Sequence, residues 1–332
     1  MTRALYSLLM WLIQPLLRRK LARRGVQEPG YLQAVEERFG HYSVPPSAGW
    51  LWVHAVSLGE TRAAAILLAA LRKQNPALKL LLTHGTATGR EEGVKLLQPG
   101  DTQVWQPWDT PGAVGRFLAH FQPALGVLVE TEVWPNMAAL CKKRGVPLVL
   151  VNARLSEKTW QQAQRLAWLA RPAYGALAAV YAQTEADAKR LHTLGAQVQG
   201  VFGNLKFDAK PDAAQVAQGQ RWRSELQKPV VVFASSREGE EALFLQNLKL
   251  FMPRSGVDIE DSAIKIEAIG GPEKIQWLVV PRHPQRFDAV AALVQAQGFS
   301  VSRRSTWNGT PEPADVWLGD SLGEMALYYG MA

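Results

Sequence analysis

"WVHAVSLGE", residues 52–60, begins as an apolar run of Trp52, Val53 and Val56 and ends on the polar turn Ser57, Gly59, Glu60. An Ala/Leu-rich stretch from Ala63 to Leu71 follows with helical character. Strand, polar turn and helix together form one step of an α/β sheet, and the chain repeats that step. Strand 50–56 precedes helix 61–74, and strand 78–86 precedes helix 88–97. Strand 103–106 precedes helix 108–121, with Pro111 suited to a first helical turn. Strands 124–130, 147–154, 178–184 and 197–204 continue the series with helices 135–144, 157–176 and 185–194 between them. Continuous apolar strands alternating with helices imply a parallel sheet covered on both faces.

The pattern breaks at "FDAKPDAAQVAQGQ", residues 207–220, a polar Ala/Gln-rich stretch of linker composition. A second series follows: strand 229–236, helix 238–252, strand 275–283, helix 284–297, and strands 299–305 and 314–320. Residues 253–273 have weak periodicity and suit a loop or excursion. The expected organisation is an N-terminal segment 1–30, a first α/β domain 31–206, a linker 207–226 and a second α/β domain 227–332. The last stretch, "GEMALYYGMA", is a helix start with no closing element, so the second domain is expected to be incomplete.

Composition narrows the function classes. Of 332 residues, 47% are apolar and 20% charged, which places the chain with globular proteins. Cys141 is the single cysteine and excludes an intramolecular disulfide, and the six scattered histidines show no metal-ligand spacing. The net charge is +8, and Arg3, Arg18, Arg19, Lys20, Arg23 and Arg24 precede the first acid. Between them lies "ALYSLLMWLIQPLL", residues 4–17, interrupted by Pro15. A spanning helix needs about 20 apolar residues, so this run falls short. It suits a helix lying in a membrane interface, with Trp11 and Tyr6 at headgroup depth and the basic residues on anionic lipid. With the positive charge concentrated there and no aromatic-basic motif, nucleic acid is not an expected partner.

In parallel sheets ligands bind at the carboxyl ends of strands. The polar residues there are Ser57, Gly59 and Glu60; Thr83 to Thr88; Glu130 and Glu132 with Asn136; Asn152 and Arg154; and Asn204 with Lys206. "ETEVWPN", residues 130–136, sends an apolar strand into two acids, either of which also suits a helix N-terminus. Neither a dinucleotide fingerprint nor a P-loop is present. In the second half, "ASSREGEE" (234–241) offers Ser236 and Arg237, and "VPRHPQRF" (280–287) sets Arg282, His283 and Arg286 after a buried strand as an anion receptor.

Taken together, "VHAVSLGE", "ETEVWPN", "LVNARLSE", "QTEADAKRLHTLGA", "GNLKFD", "EGEE", "VPRHPQRF" and "GDSLGE" resemble, in content and order, the 3-deoxy-D-manno-octulosonic acid (Kdo) transferases of lipopolysaccharide synthesis. The resemblance implies a GT-B glycosyltransferase with two Rossmann-like domains facing a cleft, the first binding a lipid A precursor (lipid IVA) and the second CMP-Kdo. It implies an inverting enzyme without metal or other cofactor on the cytoplasmic face of the inner membrane. Carried onto this chain, Glu60 is the catalytic base, Glu130 and Lys206 assist the transition state, and Pro281, Arg282, Leu322, Gly323 and Glu324 bind the donor. The family pattern continues beyond "GDSLGE" with further donor-binding elements, so the activity of this chain is an open expectation. The alternatives are a GT-B transferase for another nucleotide sugar and an inactive shell that binds anionic lipid.

Overall fold

The computed structural model describes residues 2–226, 228–251 and 275–332, and the excursion expected at 253–273 lies outside them. The chain divides into two compact units, residues 1–209 and 210–332.

The first unit is built on strands β1 (Leu51–His54), β2 (Leu80–His84), β3 (Thr102–Trp105), β4 (Leu125–Val129), β5 (Leu148–Ala153), β6 (Ala179–Ala182) and β7 (Val198–Val201). They form one sheet in the order β3-β2-β1-β4-β5-β6-β7. Every pairing is parallel. The chain winds outward from β1 through β2 to β3, then returns to the other side of β1 for β4. The strand order therefore reverses between β1 and β4, and the crevice beyond their carboxyl ends is where such sheets hold ligands.

Alternation along β1 sends Trp52 and Val53 to opposite faces, each wholly buried. Trp52 packs with Phe117, Phe121, Leu128 and Leu150 on one face, whereas Val53 packs with Ala63, Ala64, Leu68 and Val129 on the other. Burying one such apolar side chain contributes roughly 1.5–3 kcal/mol. Gly126 of β4 is required by this packing, because a Cβ there would lie 2.7 Å from the Trp52 ring and 2.6 Å from Leu148.

The covering helices are α1 (Thr2–Leu12), α2 (Gln14–Gln27), α3 (Leu58–Gln74), α4 (Ala87–Val94), α5 (Pro111–Phe121), α6 (Pro135–Lys143), α7 (Glu157–Arg165), α8 (Ala167–Tyr174) and α9 (Glu185–Thr193). The helix expected over 157–176 is two helices, because Leu166 leaves helical geometry at φ −108°, ψ 33°. Side-chain caps fix several starts: Ser57, Thr86, Thr110, Ser156 and Thr184 each accept an N–H from three residues on.

The N-terminal segment belongs to this first unit. Tyr6 donates to Asp109 at 3.0 Å and Ser7 to Asn136 Oδ1 at 2.9 Å, which docks one face of α1. Tyr6, expected at headgroup depth, is thus a docking residue instead. The opposite face exposes Leu5, Leu8, Leu9, Trp11 and Leu12, and Leu16 at the start of α2 is exposed as well. The apolar residues of α1 form an exposed stripe, since polar Tyr6 and Ser7 make the docking contacts. No helix among the described residues is long and apolar enough to cross a membrane.

The second unit carries β8 (Val230–Ser236), β9 (Gln276–Pro281), β10 (Val301–Arg303) and β11 (Val316–Leu318), all parallel, in the order β10-β11-β9-β8. Its helices among the described residues are α10 (Ala213–Leu226), α11 (Glu240–Phe251), α12 (Phe287–Ala296) and α13 (Met325–Met331). The stretch 207–226, expected as a linker, is mostly α10. Its polar composition hides one packed face, on which Trp222 is buried beside Val230, Trp307 and Leu327. Gly219 makes the crossing with α13 possible, because a Cβ there would collide with the Leu327 carbonyl oxygen.

Candidate active site

Glu60 sits in the first turn of α3, directly beyond β1. Ser57, extended at φ −116°, ψ 169°, caps the helix by accepting the Glu60 N–H at 3.4 Å. The Glu60 carboxylate reaches back to accept the Val56 N–H at 2.7 Å and the Ser57 hydroxyl at 3.3 Å. This is a variant of the capping box in which the glutamate reaches the N–H before the cap residue, and it holds the carboxylate at the end of β1. Burial pushes the Glu60 carboxyl above its ordinary pKa; the Val56 N–H and His54 oppose that rise, and the charges of Glu130 and Glu132 add to it. Helix-dipole stabilisation of the anion, which a helix-start acid invites, is outweighed here by desolvation.

Glu130 ends β4 on the neighbouring strand and takes a left-handed backbone, φ +69°. A non-glycine residue there carries a cost of order 1–3 kcal/mol and persists only where surroundings fix it. The surroundings are specific: the Glu130 N–H donates to Val151 O at 3.0 Å, and its carbonyl accepts the Arg154 N–H at 3.0 Å. Its carboxylate meets Lys206 Nζ at 2.7 Å and lies 3.5 Å from Asn152 Nδ2. Asn152 is also left-handed, φ +52°, at a register shift between β5 and β6. That bulge re-aims its amide, so Oδ1 accepts the Leu205 N–H at 3.1 Å and fixes the segment carrying Lys206. A Cβ added to Gly59 would lie 4.0 Å from Lys206 Nζ, so the ammonium also reaches the start of α3.

His54, the last residue of β1, is 1% exposed, with Nε2 3.7 Å from the Glu132 carboxylate. In the sequence it is one of six scattered histidines, and its place at the end of an apolar strand, just before the polar turn, is the signal that distinguishes it. Beside Glu132 a groove of about 340 Å³ is lined by Val133, Trp134, Ala163, Leu166, Leu169 and Tyr174, among others.

Two candidates from the first unit take other roles. Asn136 is buried and binds Asp109, its N–H donating to Oδ2 at 2.9 Å and its Nδ2 donating to the Asp109 carbonyl at 2.7 Å. It anchors α1 and α6 and does not join the Glu60 cluster, since its place in the first turn of α6 turns it inward. Arg154 is exposed and reaches the cluster through its backbone N–H.

In the second unit Ser236 ends β8, buried, and donates to Glu241 Oε1 at 2.8 Å. The register shift at left-handed Ser235, φ +59°, repeats the device seen at Asn152. Arg237 and Arg282 are exposed side by side in topology, and the Arg282 N–H donates to Ser236 O at 3.0 Å. Pro281 is buried at the end of β9. Arg286, expected in the anion receptor, is committed elsewhere: its guanidinium grips Glu241 through two bonds of 2.7 and 3.0 Å. Glu241 is buried and must be paired, which removes Arg286 from the receptor and leaves Arg282 and His283 exposed there. Leu322 is 75% exposed and Gly323 is left-handed at φ +83°. Glu324 pairs with Arg304 at 2.7 Å. Neither Glu241 nor Arg304 was legible as a pairing partner, because both pairs join residues distant in sequence.

Comparison with known proteins gives this geometry a setting. Residues 33–209 match the family model for 3-deoxy-D-manno-octulosonic-acid transferase (kdotransferase). A 3-deoxy-D-manno-octulosonic acid transferase of Bordetella pertussis is 42% identical over all of this chain and 76% of its own length. The corresponding Haemophilus influenzae protein is 30% identical over all of this chain and 75% of its own length. Among solved structures, a UDP-GlcNAc 2-epimerase from Neisseria meningitidis aligns with a TM-score of 0.50 and 14% identity, covering 85% of this chain and 74% of that one, a likeness of fold. Two Rossmann-like units of the GT-B class, one ending its switch point in an acid–lysine cluster, and full-length similarity to these enzymes lead to one conclusion: the chain belongs to the 3-deoxy-D-manno-octulosonic acid (Kdo) transferase family of glycosyltransferases.

Proposed function

We propose that this chain transfers Kdo from CMP-Kdo to the lipid A precursor lipid IVA, with inversion at the sugar's anomeric carbon and Glu60 as general base. The observation that carries the reading is the cluster at the switch point, where Glu60 stands beside the Glu130–Lys206 pair. An acceptor sugar hydroxyl is too weakly acidic to attack unaided. Glu60 takes its proton as the new C–O bond forms, and the bond from the Kdo carbon to the CMP phosphate breaks, releasing CMP. The raised proton affinity of Glu60 suits that task, and Gly59 leaves room for the acceptor. Glu130 supplies negative charge toward the electron-poor sugar carbon, while Lys206 keeps further donors for the Kdo carboxylate.

In the second unit Arg282 and Arg237 would hold the phosphate, with Ser236 and Pro281 shaping the strand ends and Leu322, Gly323 and Glu324 contributing the turn. The exposed stripe of α1 and the basic residues of α2 would hold the protein at the cytoplasmic surface of the inner membrane, where the acceptor's acyl chains reside. The groove beside Glu132 offers one of those chains an apolar wall.

The deciding experiment is mass spectrometry of lipid IVA incubated with CMP-Kdo and the protein. A mass increment of one or more Kdo units supports the reading, and its loss in Glu60→Gln with lipid binding retained supports the base assignment. Absence of any increment, or full activity of Glu60→Gln, overturns the corresponding part.

A further inference from the structure

His54 carries a buried polar atom with no hydrogen-bond partner, Nε2, facing the carboxylate of Glu132 at 3.7 Å. Burying an imidazole nitrogen unpaired is costly, and this one lies at the end of the central strand, against the site. Its other nitrogen settles what Nε2 presents. His54 Nδ1 is 3.0 Å from Thr83 Oγ1 and 3.2 Å from the Thr83 carbonyl. The indole N–H of Trp52, a donor only, already donates to Thr83 Oγ1 at 2.8 Å. Thr83 Oγ1 has a second lone pair, but its own hydrogen also needs an acceptor, and among the bonds of the described residues Nδ1 is the one beside it. That places the imidazole hydrogen on Nε2. A doubly protonated ring, with Nδ1–H donating to the Thr83 carbonyl, also carries a hydrogen on Nε2. The remaining tautomer strands the threonine hydrogen and turns a bare lone pair toward a carboxylate, two buried penalties together.

We propose that His54 is a positioning residue: held from behind by Thr83 and Trp52, it donates Nε2–H to Glu132 and fixes that carboxylate beside Glu60. Glu132 has a side chain one-third exposed and needs such a tether to stay in the cluster. Anchored there, its charge strengthens Glu60 as a base, because a proton on Glu60 relieves the repulsion between them. At 3.7 Å the contact is longer than a hydrogen bond, and the donation proposed is one that tightens with the acceptor bound. The groups facing Glu132 from other elements are His54 at the end of β1 and Glu60 on α3, whose charges couple.

This inference rests on the Kdo-transfer reading, and its test separates the two. With lipid IVA and CMP-Kdo, kcat and KM are compared for the wild type, His54→Leu, His54→Gln and Glu132→Ala, and for the double variant His54→Leu/Glu132→Ala. Loss of a hydrogen bond to a charged group predicts a roughly 10-fold or greater fall in kcat for His54→Leu with acceptor KM little changed. His54→Gln, whose amide nitrogen reaches the Nε2 position, recovers most of that loss. The double variant is no slower than Glu132→Ala alone, since both changes remove one interaction. Additive losses, or a glutamine variant as impaired as the leucine variant, would overturn the proposal, including where His54→Leu folds poorly. A wild-type protein that adds no Kdo would instead sink the underlying functional reading.

Discussion

Lys206 Nζ lies 2.7 Å from Glu130 Oε1 and within reach of Gly59, so one ammonium joins the end of β4 to the start of α3. The lysine side chain is half exposed, and an ion pair of that kind contributes about 0–1 kcal/mol to stability. Its value is therefore expected in catalysis. Lys206→Ala should lower kcat about 100-fold or more, in the range for removing a charge-stabilising group. The melting temperature should move by no more than about 4 °C. A large thermal shift with unchanged kcat, measured on the same preparation, would assign Lys206 to the scaffold.

Glu60 combines a helix cap with the proposed role of general base, and pH separates the two. Because burial raises its pKa, the base form is lost at a pH above the usual carboxylate value of about 4.3, and kcat/KM should fall there as pH drops. The stability sign is opposite. A raised folded pKa gives a contribution present below the unfolded pKa that is lost as pH rises through the folded one. Glu60→Gln keeps an acceptor for the Val56 N–H, so it should hold or raise the melting temperature at neutral pH while abolishing the acid limb with the activity. An acid limb unchanged in residual Glu60→Gln activity would point to another base.

Arg286 and Glu241 make the corresponding structural prediction in the second unit. Glu241 is fully buried; burial opposes its charge, but the hydrogen bonds from Arg286 and Ser236 prevail and lower its pKa. Its contribution to stability is present above the unfolded pKa and lost as pH falls through the folded value. Arg286→Ala leaves that charge unpaired and should cost about 3–5 kcal/mol. Paired replacement, Arg286→Met with Glu241→Leu, should restore much of it. Denaturant titration of the full chain measures both, and a loss under about 1 kcal/mol for Arg286→Ala would show that solvent reaches Glu241.

These cases also locate what the sequence made legible. The α/β class and the strand-end positions of Glu60, Glu130 and Lys206 follow from local patterns, because period and turn chemistry are written within a few residues. The pairing of Lys206 with Glu130 needs the strand order, which brings β4 beside β1 and β5 beside β4. The left-handed turns at Glu130 and Asn152 were invisible, since neither position is a glycine. Arg286 was misassigned because a basic residue in a turn has one local meaning, an exposed charge. Its actual partner lies 45 residues away. The linker was overextended because α10 buries Trp222 and Gly219 within an otherwise polar stretch.

The last prediction concerns α1, whose Leu5, Leu8, Leu9 and Leu12 are exposed, with Leu16 of α2, while Tyr6 and Ser7 hold the helix to the first unit. An exposed stripe of this kind with basic residues behind it should bind anionic bilayers, by apolar burial and by charge together. Arg18 is partly committed to Glu36 and the Phe39 ring, so the charge term rests mainly on Arg19, Lys20 and Arg23. Replacing Leu8, Leu9 and Leu12 with Ser should abolish sedimentation with phosphatidylglycerol vesicles at any ionic strength. Replacing Arg19, Lys20 and Arg23 with Gln should weaken it at low salt and remove its salt dependence, because each basic residue near such a surface contributes about 1 kcal/mol. Activity on a water-soluble deacylated acceptor should survive the leucine changes, since none of these side chains reaches the Glu60 cluster. Equal loss on soluble and lipid acceptors would instead mean that α1 supports the fold through Asp109 and Asn136 and takes no part in membrane binding.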